Sequence, residues 1–179
     1  MRPLAEDSKV QLNQRDDFRA FYEEALPRVY TYLFHRCGGS VSVAEDLTQE
    51  TFLAAVAEIK KGKHVNAAVP WVLGIARHKL LDHYRQKTRE ERQLAAVREA
   101  ERSDDGLLPW EGEDPRGRAL TALRALPTSQ RAALVLRYLD GMSIPEVARI
   151  IGRSIHATES LLARGRENFK QRYLEASDG

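Results

Sequence analysis

Between Gly141 and Arg166 the chain reads GMSIPEVARIIGRSIHATESLLARGR, two short helical patterns broken at Gly152. Ile144, Val147, Ala148 and Ile151 fall at i, i+3, i+4 and i+7, which gives the first helix a single apolar face. Ser143, followed three residues later by Glu146, supplies a capping-box start, and Gly152 permits a tight turn. In the second helix Ile155, Thr158, Leu162 and Phe169 are expected to face inward. His156, Glu159, Ser160, Ala163 and Arg164 are left on the outer face, where a recognition helix meets base edges in a major groove. An ordinary helical hairpin on a bundle surface would carry similar faces. The coincidence of cap, turn glycine and two phased faces favours a helix-turn-helix, with DNA as the first partner to consider.

A length of 179 residues with 42% hydrophobic content is enough for one domain or two small ones. The net charge of +2 is too small for bulk attraction to a polyanion, so affinity for nucleic acid must come from local basic faces. The single cysteine, Cys37, beside Gly38 and Gly39, excludes an internal disulfide framework and is expected to be a passive thiol in a reducing compartment. No apolar run approaches the roughly 20 residues needed to span a bilayer, and the N-terminus lacks the apolar segment of a signal peptide. A cytoplasmic location without membrane insertion is the expectation.

Phe18, Phe21, Tyr22 and Ala25 begin a helical stripe that resumes at Val29, Tyr32 and Leu33 beyond Pro27, an expected kink, and ends at Gly38-Gly39. A second helix is expected to open with Ser42 and Glu45 as a capping box, to carry Phe52, Ala55, Val56 and Ile59, and to stop before Lys60. Pro70 then stands where a first helical turn tolerates it, and Trp71 to about Arg89 carries Leu73, Ala76 and Leu80 at helical spacing. From about Glu90 the pattern weakens, and 102–115 combines turn formers with acidic residues. Helical signal returns with Leu120, Leu123 and Leu126, breaks at Pro127, and restarts from Thr128 with Ala132, Val135, Leu136 and Leu139. With no convincing strand pattern, the expected fold is all-α: two small helical domains, 1–90 and 116–179, joined by a flexible acidic linker, 91–115.

Catalytic chemistry finds no support in residue spacing. His35, His64, His78, His83 and His156 include no pair at i, i+4, so a zinc site would need an improbable convergence, and no phosphate-binding glycine loop is present. Cys37 and His35 stand two residues apart at a helix end with no third orienting group. No catalytic residue, metal or cofactor is expected. Glu45, Asp46 and Glu50 have a bland explanation as carboxylates on an exposed helix face near its N-terminus. The helix from Trp71 interleaves Arg77, Lys79, Arg85, Lys87 and Arg89 with Trp71, His78, His83 and Tyr84. Cations for phosphate and flat rings for unstacked bases suit nucleic acid, while a solvated amphipathic helix with Trp71 and Tyr84 in the core is the other reading. Lys60, Lys61 and Lys63 just upstream tip the balance toward nucleic acid.

These segments together resemble the extracytoplasmic-function sigma factors of bacterial RNA polymerase. Ala44-Glu-Asp-Leu-Thr-Gln-Glu-Thr-Phe52 is similar to the family's region 2.2, Pro70 through Arg85 to regions 2.3 and 2.4, and Leu126-Pro127 through Arg166 to region 4. The resemblance implies that Asp46, Gln49 and Glu50 dock on the clamp helices of the polymerase largest subunit, and that apolar surface on the C-terminal lobe holds the flap. It implies that the loop 61–69 and the following helix recognise and melt the minus-10 element, through Lys61, Lys63, Asn66, Trp71, Arg77, His78 and Arg85, with Asn66 hydrogen-bonding an extruded base. The minus-35 element would be read by His156, Glu159, Ser160, Ala163, Arg164 and Arg166. The linker would run through polymerase channels, and an anti-sigma factor is implied as a further partner. Two positions depart from the pattern: His78 stands where many relatives have asparagine, and Glu159-Ser160 where a basic residue followed by serine is common. An acid on a recognition helix can accept a hydrogen bond from cytosine N4, so Glu159 is expected to specify a cytosine. The rival readings are a sigma-like partner-switch protein that binds an anti-sigma factor without DNA, and a stand-alone helix-turn-helix regulator.

Overall fold

The computed structural model describes residues 15–62, 65, 68–95 and 114–176. Within them lie seven α-helices and no multi-residue strand: α1 (Arg15–Arg36), α2 (Val41–Lys60), α3 (Ala68–Ala95), α4 (Pro115–Arg124), α5 (Thr128–Leu134), α6 (Ile144–Ile151) and α7 (Ile155–Glu175). A π-helical turn, Val135–Leu139, continues α5. The fold is all-α, as the sequence patterning requires. Two compact units divide it: residues up to Leu33 with Ser42–Leu80, and Phe34–Val41 with everything from Leu81 onward. Both α1 and α3 run through that division.

In the first unit the core is a seam of three helices. Phe21, Ala25, Val29 and Leu33 recur every four residues along α1, so they form one stripe, and all four are buried. Ala44, Leu47, Phe52, Ala55 and Ile59 of α2 and Val72, Ala76 and Leu80 of α3 complete the core. The Phe21 ring lies 6.3 Å from Phe52 and 6.5 Å from Trp71, joining the three elements at one end. Helix α1 continues through Pro27. The ring is exposed there, so the carbonyl it leaves without a helical donor can be hydrated. Helix α2 opens at Val41, which places Ser42 inside the first turn and not at the cap position before it.

Helix α3 passes Glu90, where the sequence pattern weakens, and ends at Ala95. Buried Tyr84 and Thr88 extend its inward face by one further turn, and both are polar enough to escape a count of apolar residues. The second unit adds Leu120 and Ala122 from α4, the run Ala132 to Leu136, and Val147, Ala148, Ile150 and Ile151 from α6. In the π turn Asp140 N–H donates to the Val135 carbonyl at 3.1 Å, and Met142 N–H to Leu136 at 3.0 Å. Such wide rings shift the helical phase. Leu139, expected inward, is consequently 49% exposed beside exposed Tyr138.

The end of α1 is buried along with the turn that follows it: Cys37, Gly38 and Gly39 are all inaccessible. Gly38 and Gly39 take φ of 67° and 76°, the left-handed region that suits glycine, and Gly39 N–H closes back on the Phe34 carbonyl at 2.9 Å. A side chain at Gly38 would also meet Arg131 Cδ at 3.1 Å and the Arg124 backbone nitrogen at 3.3 Å. The Tyr84 hydroxyl donates to the carbonyl of Arg36, and the Arg36 Nε donates to Asp140 Oδ1 at 2.6 Å.

Burial raises the Cys37 thiol pKa to about 12, with Arg131 pulling weakly the other way. Burial, then Arg116 and Arg36, hold His35 below its ordinary value. A raised folded-state pKa means the neutral thiol is the form that folding favours. Its contribution is intact below the unfolded thiol value of about 8.5 and is lost as pH climbs from there toward the folded value. Native protein is therefore expected to resist alkylation by iodoacetamide at pH 8 and to react fully in urea. Rapid modification of the folded chain would show that the turn opens readily.

Candidate nucleic-acid interface

Helix α6 begins where Ser143 N–H and its hydroxyl both donate to Glu146 Oε2, at 2.8 and 2.6 Å, so the glutamate caps the helix start. It ends at Gly152 in the left-handed conformation (φ 66°, ψ 42°), with Arg153 N–H returned to the Ala148 carbonyl at 2.9 Å. Ser154 then caps α7 by accepting from Ala157 N–H at 3.2 Å. Two caps, Gly152 and Ser154, two residues apart, define the turn, and all their parts are local in sequence.

Helix α7 packs on α4, α5 and α6. Thr158, Leu161, Leu162 and Gly165 are buried, at i, i+3, i+4 and i+7. Gly165 matters sterically: a side chain there would lie 3.4 Å from Leu134 Cγ and 3.5 Å from Gln130 Cβ. Asn168 Nδ2 donates to Gln130 Oε1 at 2.9 Å and fixes the register of the two helices. Ile155, expected inward, is 51% exposed. Side chains tilt toward a helix's N-terminus, so the first residue of α7 overhangs the end of its packing partners.

The remaining face of α7 is open. His156, Glu159, Ser160, Ala163 and Arg164 are all exposed, with His156 Nδ1 3.9 Å from Glu159 Oε2. Arg166 is exposed as well, and its Nη1 meets the Tyr138 hydroxyl at 2.9 Å, a contact the sequence did not suggest. An exposed row of donors and acceptors near the N-terminal half of a capped helix can offer side chains to base edges and phosphates.

On α2, Asp46, Gln49 and Glu50 are exposed along one side, and Glu50 Oε2 pairs with Lys79 Nζ of α3 at 3.2 Å. Beside them α1 and α2 form a groove of about 620 Å³ lined by Phe18, Tyr22, Leu26, Phe52, Leu53 and Val56, with Gln49 among its lining residues. Leu53 is 63% exposed. The groove went unread in sequence; its one local signal was Leu53, an apolar residue outside the inward series of α2.

The residues expected to meet a minus-10 element fare unequally. Lys63 and Asn66 lie outside the described residues. Lys61 is exposed and pairs with Glu58 at 3.1 Å. Trp71 is half-buried against Phe21, so its ring seats the start of α3 on α1. Arg77 and His78 are exposed, and Arg85 is exposed and paired with Asp82 on its own helix. Tyr84, read among the aromatics of this helix, belongs to the core, and burial pushes its phenol well above the usual range. Gly74, not anticipated, is exposed one turn from His78 with open space where a side chain would stand. A mid-helix glycine costs about 0.5–1 kcal/mol relative to alanine, and nothing in the protein occupies the space it leaves. Gly74→Ala is expected to stabilise the protein by about that amount in urea titrations. A loss of stability would point to a hidden packing role.

No three histidine, cysteine, aspartate or glutamate side chains converge as a metal site among the described residues, and no described helix is long and apolar enough to cross a membrane.

The Sigma-70 region 2 family model matches residues 21–90, and the Sigma-70 region 4 model matches 116–169. Among curated relatives, a sigma factor of Mycobacterium tuberculosis, SigC, is 35% identical over 127 residues, 71% of this chain and 68% of that protein. SigF of Caulobacter vibrioides is 30% identical over 179 residues, 95% of this chain and 94% of that protein. BldN of Streptomyces coelicolor is 33% identical over 165 residues, 87% of this chain, which spans 60% of that protein's length. Among solved structures, RpoE of Bartonella quintana, bound to the anti-sigma factor NepR, aligns with 23% identity and a TM-score of 0.44 over 88% of this chain and 96% of that one. The chain belongs to the extracytoplasmic-function RNA polymerase sigma factors.

Proposed function

We propose that this sigma factor binds core polymerase through the α2 face, recognises the minus-35 element through α7, and recognises and melts the minus-10 element through α3 and the segment before it. The open face of α7 carries the reading: His156, Glu159, Ser160, Ala163 and Arg164 are all exposed on a helix whose other side is locked by Thr158, Leu162 and Gly165. A partner-switch decoy that never meets DNA would have no need of it. Asp46, Gln49 and Glu50 supply polar contacts for the polymerase clamp helices, and the apolar groove beside Gln49 supplies hydrophobic area. Exposed Tyr138 and Leu139 offer apolar surface for the polymerase flap. Arg77, His78 and Arg85 face promoter DNA, with Lys61, Lys63 and Asn66 contributed from the segment that precedes α3. Trp71 acts by seating α3. Promoter opening needs no covalent chemistry from this chain, only the few kcal/mol that extrude a base, which phosphate contacts and stacking offset. Residues 1–90 and 116–179 serve as the two functional domains. An anti-sigma factor restrains the protein, and it works in the cytoplasm, where polymerase is.

Run-off transcription with bacterial core polymerase, with and without the protein, on DNA from upstream of its own gene tests the reading. A protein-dependent transcript with a defined start is expected. Absence of a transcript together with failure to retain core polymerase in a pull-down would overturn it. Glu159→Ala is expected to abolish preference for cytosine at a single minus-35 position, an effect of about 1–3 kcal/mol, read by promoter profiling. Arg164→Ala should instead weaken binding to every sequence and reduce the slope of log affinity against log salt by about 1.

A further inference from the structure

Ile155, the first residue of α7, is apolar and yet 51% exposed. The turn before it fixes its place. The Ser154 hydroxyl accepts from Ala157 N–H at 3.2 Å, and the Ser154 carbonyl accepts from both the N–H and the hydroxyl of Thr158 at 2.9 Å. Thr158 is buried, so the first turn of α7 is held to the core with Ile155 outside it. Isoleucine is β-branched and keeps almost a single χ1 rotamer in a helix, so its side chain points one way and loses little freedom on contact. Glu159 stands one turn further along the same side of α7, with His156 beside them, and all three are exposed. Of the three, only Ile155 can neither donate nor accept a hydrogen bond.

A major groove offers such a side chain one specific partner. Every base pair presents hydrogen-bonding groups there, but only thymine adds a methyl group, on C5. Recognition helices bring their N-terminal residues to the base edges, and Ile155 opens α7. Against donors and acceptors an isoleucine would strip water and return no hydrogen bond, whereas against a methyl group it removes apolar surface from water on both sides.

We propose that Ile155 is a specificity-determining residue that reads the 5-methyl group of a thymine, on either strand, in the minus-35 element. The inference rests on the reading of α7 as the minus-35 helix. Successive helical turns are about 5.4 Å apart and successive base pairs about 3.4 Å, so this thymine falls within about two base pairs of the cytosine proposed for Glu159.

Deoxyuridine pairs as thymidine does and lacks only the methyl group. In the promoter fragment located by the run-off transcript, each minus-35 thymine is replaced singly by deoxyuridine, and binding by the polymerase holoenzyme is titrated. One replacement is expected to weaken binding by the wild type about three- to fivefold, the worth of one buried methyl-sized group. Ile155→Ala should bind the thymine promoter more weakly and no longer distinguish it from the deoxyuridine one, while Ile155→Val, which keeps the branch, retains part of the distinction. Both proteins meet the same two DNAs, so any effect of the methyl on the duplex itself cancels in the comparison. Unchanged thermal melting of Ile155→Ala is expected, since the side chain it loses lies outside the core. A wild type indifferent to every replacement, a minus-35 element without thymine, or an undiminished deoxyuridine penalty in Ile155→Ala would overturn the proposal. Failure of the wild-type holoenzyme to bind the fragment at all would overturn the promoter reading, and this inference with it.

Discussion

A helix that stops inside a protein leaves carbonyl groups beyond the reach of water, and α1 stops in that way at Arg36. Its turn, Cys37 to Gly39, is buried throughout, so each backbone group there must find a partner within the chain. Two left-handed glycines bring Gly39 N–H back to Phe34, and the Tyr84 hydroxyl of α3 satisfies Arg36. The same residue extends its guanidinium to Asp140. One helix end thereby sets the entry into α2, seats α3 and meets the C-terminal helices. A neutral thiol is tolerated there because burial disfavours its charged form.

The chemistry of recognition is separated from the chemistry of folding along α7. Its inward residues are small or apolar, and Gly165 lets α5 approach closely enough that the helix has one possible rotation. Rotation decides which side chains face out, so buried Gly165 governs the composition of the exposed face. On α3 the same economy puts Tyr84 and Thr88 in the core and leaves Arg77, His78 and Arg85 exposed. With a net charge of only +2, affinity for DNA depends on this sorting of cations onto particular faces.

Legibility in the sequence followed locality. The Ser143 and Glu146 cap, the Gly152 turn and the outward positions of α7 were read correctly because each depends on residues within a turn or two of one another. The exposure of Ile155 escaped because it depends on where the neighbouring helices end. Leu139 was misread for a related reason: a single π ring changes the phase, and the apolar series carries no mark of the extra residue. The continuation of α3 to Ala95 rests on a tyrosine and a threonine buried by tertiary packing. Of the expected site residues, those on α2 and α7 and the cations of α3 stand exposed, whereas Trp71 turns out to be seated on Phe21, as one of the two sequence readings of that helix allowed.

By itself, the sequence determined that the chain is all-helical, that it carries a helix-turn-helix, and that its motifs resemble regions 2 and 4 of sigma factors. Those properties are periodicities, caps and short spacings, written in neighbouring residues. Only the tertiary structure decided that Tyr84 closes the end of α1, that α1 and α2 leave an apolar groove beside Gln49, and that Glu91 and Arg92 reach Ser129 and Gly152. The three hydrogen bonds among them join residues 38 to 60 positions apart. Nothing local distinguishes an arginine that caps a distant turn from one that points to water, because the partner is chosen by how the helices pack.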